Sequence, residues 1–251
     1  MMPSGYTRAK RALDAFMSDR FRAGDLAGVV SNDKMVNNRI SSVREEFQAA
    51  LKKVRIPGEA AARAADRVEA DVTGGSGEAG ETIREILSKE VGREAIRAAR
   101  RSAEMLDELA KGLAAMPGPK TVVLMSDGFG LSELEGTTRS VVGRMNRAGA
   151  RIYAIDTRGL KGGPGDTINS LAVDTGGLVL FNENNIGRAF DTIAADTNTY
   201  YVLGYQPSNP KYDGKYRKIE VRVKRQDVNV RARRGYLALQ PSKMLIPQPI
   251  K

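Results

Sequence analysis

"KTVVLMSDGFG", residues 120–130, is the stretch that fixes the reading of the whole chain. Val122, Val123, Leu124 and Met125 follow one another with no polar alternation, the pattern of a strand covered on both faces, and Ser126-Asp127-Gly128 ends it abruptly. Asp127 therefore falls just past the carboxyl end of a buried strand. Two readings of it stand. It is a hard oxygen ligand for a metal ion, or it is ordinary turn chemistry, Asp supplying an Asx-type bond and Gly128 a positive φ.

Downstream of this stretch, strand and helix patterns alternate. Helix is predicted from about Glu133 to Arg147, strand at "RIYAID", helix over Asp166–Asp174, strand at "LVLF" and helix from Ile186 to Thr197. Short apolar runs separated by helices indicate parallel strands covered on both sides, so the fold class is α/β, a Rossmann-like, doubly wound, mostly parallel sheet. Asp156, ending "RIYAID", falls on the same crest as Asp127.

Upstream, Ala9, Ala12, Leu13, Phe16 and Met17 recur at helical spacing and predict an amphipathic helix over Thr7–Phe21. "DLAGVVSN" reads as a short buried strand and "KMVNNRI" as an edge strand after a turn at Asn32-Asp33, with a second helix over Ser42–Val54. An Ala-rich helical stretch from Gly58 to Ala70 stops at the glycine loop "TGGSGEAGE". Residues 81–115 read as helical, with Gly92 the expected break because the stretch is long for one globular helix.

From Tyr200 the pattern changes again. "YYVLGYQP", "KYRKIEVRVKR" and "VNVRARRGYLA" predict three antiparallel strands turning at Asp213-Gly214 and Gln226-Asp227, a C-terminal β appendage. The expected organisation is an α/β domain over 1–198, the appendage over 199–240 and an irregular tail over 241–251.

Composition narrows the chemistry. The 251 residues contain no Cys, His or Trp, which removes thiolate nucleophiles, His-dependent catalysis and Cys/His zinc or haem sites. Any metal would be a hard, oxygen-bound one. No run of about 18 apolar residues exists to span a membrane, and the first residues have no signal-peptide pattern. The net charge is +10, and between Lys211 and Gly235 ten Lys or Arg stand against Asp213, Glu220 and Asp227, a local +7. Those cations and Tyr200, Tyr201, Tyr205, Tyr212 and Tyr216 fit contact with nucleic acid, but also a solvated face that discourages edge-to-edge aggregation, and the second reading is preferred. "GSGEAG" matches G-x-G-x-x-G, yet follows a helical segment rather than a strand and carries Glu78 where a pyrophosphate would sit; it reads as a loop. "GLKGGPGDT" lacks the Gly-Lys-Ser/Thr ending of a P-loop. Asp127 and Asp156 could form a carboxylate pair for acid–base work, but no nucleophile or oxyanion device accompanies them, so the chain does not read as an enzyme.

"KTVVLMSDGFG" followed by "VVGRMNRAGARIYAIDTRG" resembles the latter half of a von Willebrand factor type A (VWA) domain. "LAVDTGGLVLFNENNIGRAFDTIAADTNTYYVLGYQPSN" with "DGKYRKIEVRVKRQDVNVRARRGYLA" is similar to the carboxyl end of the acidobacterial VWFA-related branch of that family. The resemblance implies a protein-interaction or adhesion module with a metal-ion-dependent adhesion site (MIDAS) on the sheet crest. There an Asp-x-Ser-x-Ser element, a later Thr or Ser and a further Asp hold Mg²⁺, and a partner's carboxylate completes the shell.

Asp127 matches the last element, and Ser76 or Thr82 would give the hydroxyl, Ser76 being preferred for its place in a Gly-rich loop. No Asp-x-Ser-x-Ser occurs in the chain, and the strand that should carry it is absent before the first helix. The expectation is therefore a VWA-like fragment lacking its first strand, holding Mg²⁺ weakly or not at all and binding a protein partner. It would be exported or periplasmic if the full-length gene follows the family. A catalytic or nucleotide-binding α/β domain using the same crest is the alternative.

Overall fold

Val122–Met125 does form the centre of a strand, and the alternation of its side chains between two hydrophobic clusters explains why the run contains no polar residue. In the computed structural model, which describes residues 3–31, 34–54, 78–126, 135–156, 166–181, 186–238 and 240, six α-helices accompany a three-stranded parallel sheet. In chain order the elements are α1 (Pro3–Arg20), β1 (Val30–Ser31), β2 (Lys34–Met35), a single 3-10 turn (Val36–Asn38), α2 (Arg44–Lys53) and α3 (Glu78–Ala114). They continue with β3 (Lys120–Ser126), α4 (Glu135–Ala148), β4 (Ala150–Asp156), α5 (Asp166–Asp174), β5 (Val179–Leu180), α6 (Ile186–Asn198), β6 (Tyr216–Lys218) and β7 (Gly235–Leu237). The chain is an α/β protein, and the arrangement is consistent with a Rossmann-like fold.

The sheet runs β3-β4-β5, with β3 and β4 paired in parallel over their full length from Lys120↔Ala150 to Ser126↔Asp156. Successive side chains of a strand point to opposite faces. Val122, Leu124 and Ile152 accordingly join Leu106, Ala110 and Leu113 of α3, Val141, Val142 and Met145 of α4 and Leu171 of α5. Val123, Met125, Tyr153 and Ile155 join Ala9 of α1 and Ile186, Ala189, Phe190 and Ile193 of α6, with Phe16 stacked on Phe190 at 5.1 Å between ring centroids. Helices thus cover both faces, as an apolar run without alternation requires. A smaller cluster of Met17, Phe47 and Leu51 joins α1 to α2.

One buried hydroxyl and one glycine hold the layer together. Thr175, just past α5, donates from Oγ1 to the Leu171 and Ala172 carbonyls at 2.8 and 2.9 Å and accepts the Ile152 N–H of β4 at 2.9 Å. One hydroxyl so closes a helix end and satisfies a strand amide that would otherwise be buried alone. Gly177 leads into β5 so close to the Ile152 carbonyl that a Cβ there would overlap it, which is why the sequence has glycine at that crossing.

Three expectations need correction. Gly92 does not break the helix: α3 runs unbroken for 37 residues. A single interior glycine costs only about 1 kcal/mol against alanine, and the packing of Leu106, Ala110 and Leu113 against the sheet layer favours continuity. "DLAGVVSN" and "KMVNNRI" supply only a two-residue hairpin, half-buried at Val30 and Ser31 and separate from the parallel sheet; the Asn32-Asp33 turn lies outside the described residues, as do the Ala-rich stretch 58–70 and the tail 241–251.

The third correction concerns the C-terminal segment. The three expected strands reduce to β6 and β7, three residues each, paired antiparallel through Tyr216↔Leu237 and Lys218↔Gly235, while "YYVLGYQP" forms no strand. Strand propensity expresses fit to a pleated, half-buried surface, and among the described residues no neighbouring strand offers one to Tyr201, Val202 and Leu203. The pair that does form lies against α4, where a Cβ on Gly143 would meet Leu237 Cδ1 at 2.6 Å.

Candidate functional site

The crest of the sheet is where the carboxyl ends of β3 and β4 stop side by side. Ser126 and Asp156 are the final residues of the two strands and are direct register partners, which sets their Cα atoms about 4.8 Å apart. Asp156 is buried, and both residues have bonding partners of their own. The local cause is plain from the sequence: two strands of equal length begin in register at Lys120 and Ala150, so the polar residue ending one run comes level with that ending the other. A hydroxyl and a carboxylate at the open end of a parallel sheet are hard oxygen donors of the kind Mg²⁺ takes.

Of the residues singled out in the sequence, Asp127 follows Ser126 directly but lies outside the described residues, and so does Ser76. Thr82 lies in α3, five residues into the helix. At 1.5 Å per residue a straight helix would carry Thr82 about 48 Å from Ala114, whereas β3 rises only about 20 Å from Lys120 to Ser126. Among the described residues no three carboxylates gather as a cation site would need.

Side chains at the opposite end of the sheet, its foot, were not apparent in the linear sequence. Lys120 opens β3, Arg151 is the second residue of β4, and Arg233 reaches them from the segment before β7. Lys120 Nζ donates to the Ala148 carbonyl at 2.8 Å and Arg233 Nη1 to the Asn146 carbonyl at 2.8 Å, so both cations cap the carboxyl end of α4, where the helix dipole favours positive charge. Burial, and then the charge of Arg151, pulls the Arg233 guanidinium below its ordinary value; burial and Arg233 do the same to the Lys120 ammonium. The Arg151 guanidinium lies 5.8 Å from the centroid of the Tyr200 ring. None of these three cations has a carboxylate at ion-pair distance among the described residues.

Next to this cluster Asn146, buried in α4, donates from Nδ2 to the Asp174 carbonyl at 3.2 Å and the Gly235 carbonyl at 3.0 Å, while its Oδ1 has no protein partner. A polar residue in the apolar stripe of Val142 and Met145 was the one sequence signal available for it. Asp196 of α6 accepts from Tyr153 Oη at 2.7 Å and pairs with Arg231. Several cations of the basic segment are thus used inside the fold, Arg231 and Arg233 on the helical layer and Arg217 on Asp213 at 2.8 Å.

The remaining concavity, about 400 Å³, opens between α3 and α4. Two of its acidic residues are matched by neighbours, Asp107 by Arg144 at 2.5 Å and Lys111 at 3.5 Å, and Glu108 by Lys111 at 2.6 Å. No helix among the described residues is long and apolar enough to cross a membrane. In comparison with known proteins, no family model, no curated protein and no solved structure matches this chain.

Proposed function

We propose that this chain is a protein-interaction module of the von Willebrand factor A type, acting by binding rather than by catalysis, with the sheet crest as its contact surface. The observation that carries the reading is the level ending of β3 and β4 at Ser126 and Asp156, directly before Asp127. In open parallel sheets, ligands bind at the carboxyl ends of the strands. Asp127 and Asp156 would hold Mg²⁺ with a hydroxyl from Ser76, Thr82 lying too far along α3 for the crest, and the ion, when bound, presents an open position to a partner's carboxylate. Without an Asp-x-Ser-x-Ser element the donor set is short and the affinity low.

The rival use of this crest is catalysis or nucleotide binding, to which the buried carboxylate of Asp156 would also lend itself. Calorimetric titration with Mg²⁺ or Mn²⁺, and separately with ATP and NAD, discriminates between them. The expected result is weak metal binding abolished in Asp127→Ala, with no heat from either nucleotide. Nucleotide binding without a metal response would overturn the proposal. Ser76→Ala should weaken the metal further, whereas Thr82→Ala, at a residue far along α3 from the crest, should leave it unchanged.

A further inference from the structure

We propose that the foot of the sheet is a second docking surface, formed by residues 200–205 with Lys120, Arg151 and Arg233, and that it takes an acidic, strand-forming segment of a partner protein. Tyr201, Val202 and Leu203 are 87%, 82% and 72% exposed, a run of consecutive large apolar side chains facing solvent. No backbone hydrogen bond joins residues 200–208 to any other described residue. The segment has the composition of a strand and none of its ladder, so its amide and carbonyl groups are available to pair with an incoming chain.

Its position is fixed at both ends. Tyr200 meets the Arg151 guanidinium, and Tyr205 lies close to Tyr236 of β7; burial, and then Tyr236, raises the Tyr205 hydroxyl above its ordinary value. The apolar residues between those anchors therefore lie beside the cation cluster.

Charge selects the occupant. Beyond burial, Arg151 lowers Arg233 and Arg233 lowers Lys120, so the three cations stand close together, and none has a carboxylate partner among the described residues. A second copy of this chain would bring a further +10, whereas acidic side chains on a docked strand would supply the missing counter-charge. Exposed Tyr and Arg are also the residue types that anchor protein interfaces. Because this surface lies at the opposite end of the strands from the crest, it stands or falls independently of metal binding there.

The test uses the full chain and fluorescein-labelled octapeptides of alternating Glu and Val. That peptide should bind at least tenfold more tightly than an alternating Lys and Val peptide and than an all-Glu octamer. Val202→Pro, which removes one amide donor at a residue without a hydrogen bond, and Arg151→Glu should each weaken binding tenfold or more. Methylating alternate peptide nitrogens should do the same without altering the protein. Equal binding of the all-Glu octamer, insensitivity to Val202→Pro and to N-methylation, tighter binding of a single-stranded 12-mer oligonucleotide at the same surface, or dimerisation abolished by Val202→Pro would each overturn the proposal.

Discussion

Strand β4 and the segment from Ile219 to Val230 are built from similar residues and behave in opposite ways. In β4 every residue except Arg151 is buried, and Tyr153 and Ile152 are wholly so. In the later segment Ile219 and Val221 are half-buried, Val223, Val228 and Val230 are exposed, and no strand forms beyond Lys218. β4 has a strand on each side and helices on each face; beyond the single bond from the Ile219 N–H to the Arg234 carbonyl at 2.8 Å, the segment to Val230 has no such ladder. β-branched residues make a strand only where neighbours supply both a ladder and a cover. The C-terminal segment is regular only at β6 and β7, where β7 meets α4 through the Asn146 and Leu237 contacts.

The widest separation between the two regions should come from truncating one apolar side chain in each. Phe190→Ala removes a ring stacked on Phe16 and buried against β4, and should cost about 3–5 kcal/mol in urea unfolding. Val230→Ala should change stability by less than about 0.5 kcal/mol. Comparable losses would mean that the Ile219–Val230 segment carries a core of its own.

A smaller effect is expected at the joint. Asn146→Ala removes the donor serving both Asp174 and Gly235 and leaves the Asp174 carbonyl only the Arg234 amide at 3.4 Å, at a cost of about 2 kcal/mol. Hydrogen exchange should then quicken first over residues 231–238. Uniform acceleration across the chain would show that the two regions open as one unit.

The smallest effect is one of sign. Burial raises the Asp174 carboxyl above its ordinary value, against the pull of Arg234 and Arg139. Between the ordinary and the raised value the folded chain holds more protons than the unfolded one, so stability falls as pH rises through that window. At Asp213 the hydrogen bond from Arg217, then that from the Lys215 amide, lowers the carboxyl, and stability is lost as pH falls through the lowered value. Asp174→Asn and Asp213→Asn should therefore tilt the acid limb of the pH–stability curve in opposite directions, measured by thermal unfolding between about pH 2.5 and 6. Parallel shifts would contradict the assignment.

The alternation of strand and helix after Lys120 was legible because burial on both faces leaves a signature in the order of residues. Asp166–Asp174 has the bounds read from the sequence, and β3, β4, α4 and α6 differ from theirs by one or two residues at their ends. The unbroken α3 was not legible, because Gly92 speaks only for its local cost and the opposing packing comes from residues farther along the chain. Nor was the failure of "YYVLGYQP" to form a strand, since propensity does not say whether a partner is present. At the crest, the sequence placed Asp156 on the same strand-end level as the "SDG" after β3, and the register of Ser126 with Asp156 agrees with that level. The cation cluster at the foot could not be foretold, because Lys120, Arg151 and Arg233 are brought together by topology alone.

Asn146 has a further consequence, which concerns chemical ageing. Both groups facing its Nδ2 are carbonyl oxygens, so the side chain is useful there only as a donor. Deamidation, which exchanges that NH₂ for a second oxygen, hardly changes its shape but turns the donor into a charged acceptor aimed at two acceptors. A substitution of almost equal volume, Asn146→Asp, is thus among the least conservative at this joint, and the useful lifetime of the joint is tied to that of a single amide.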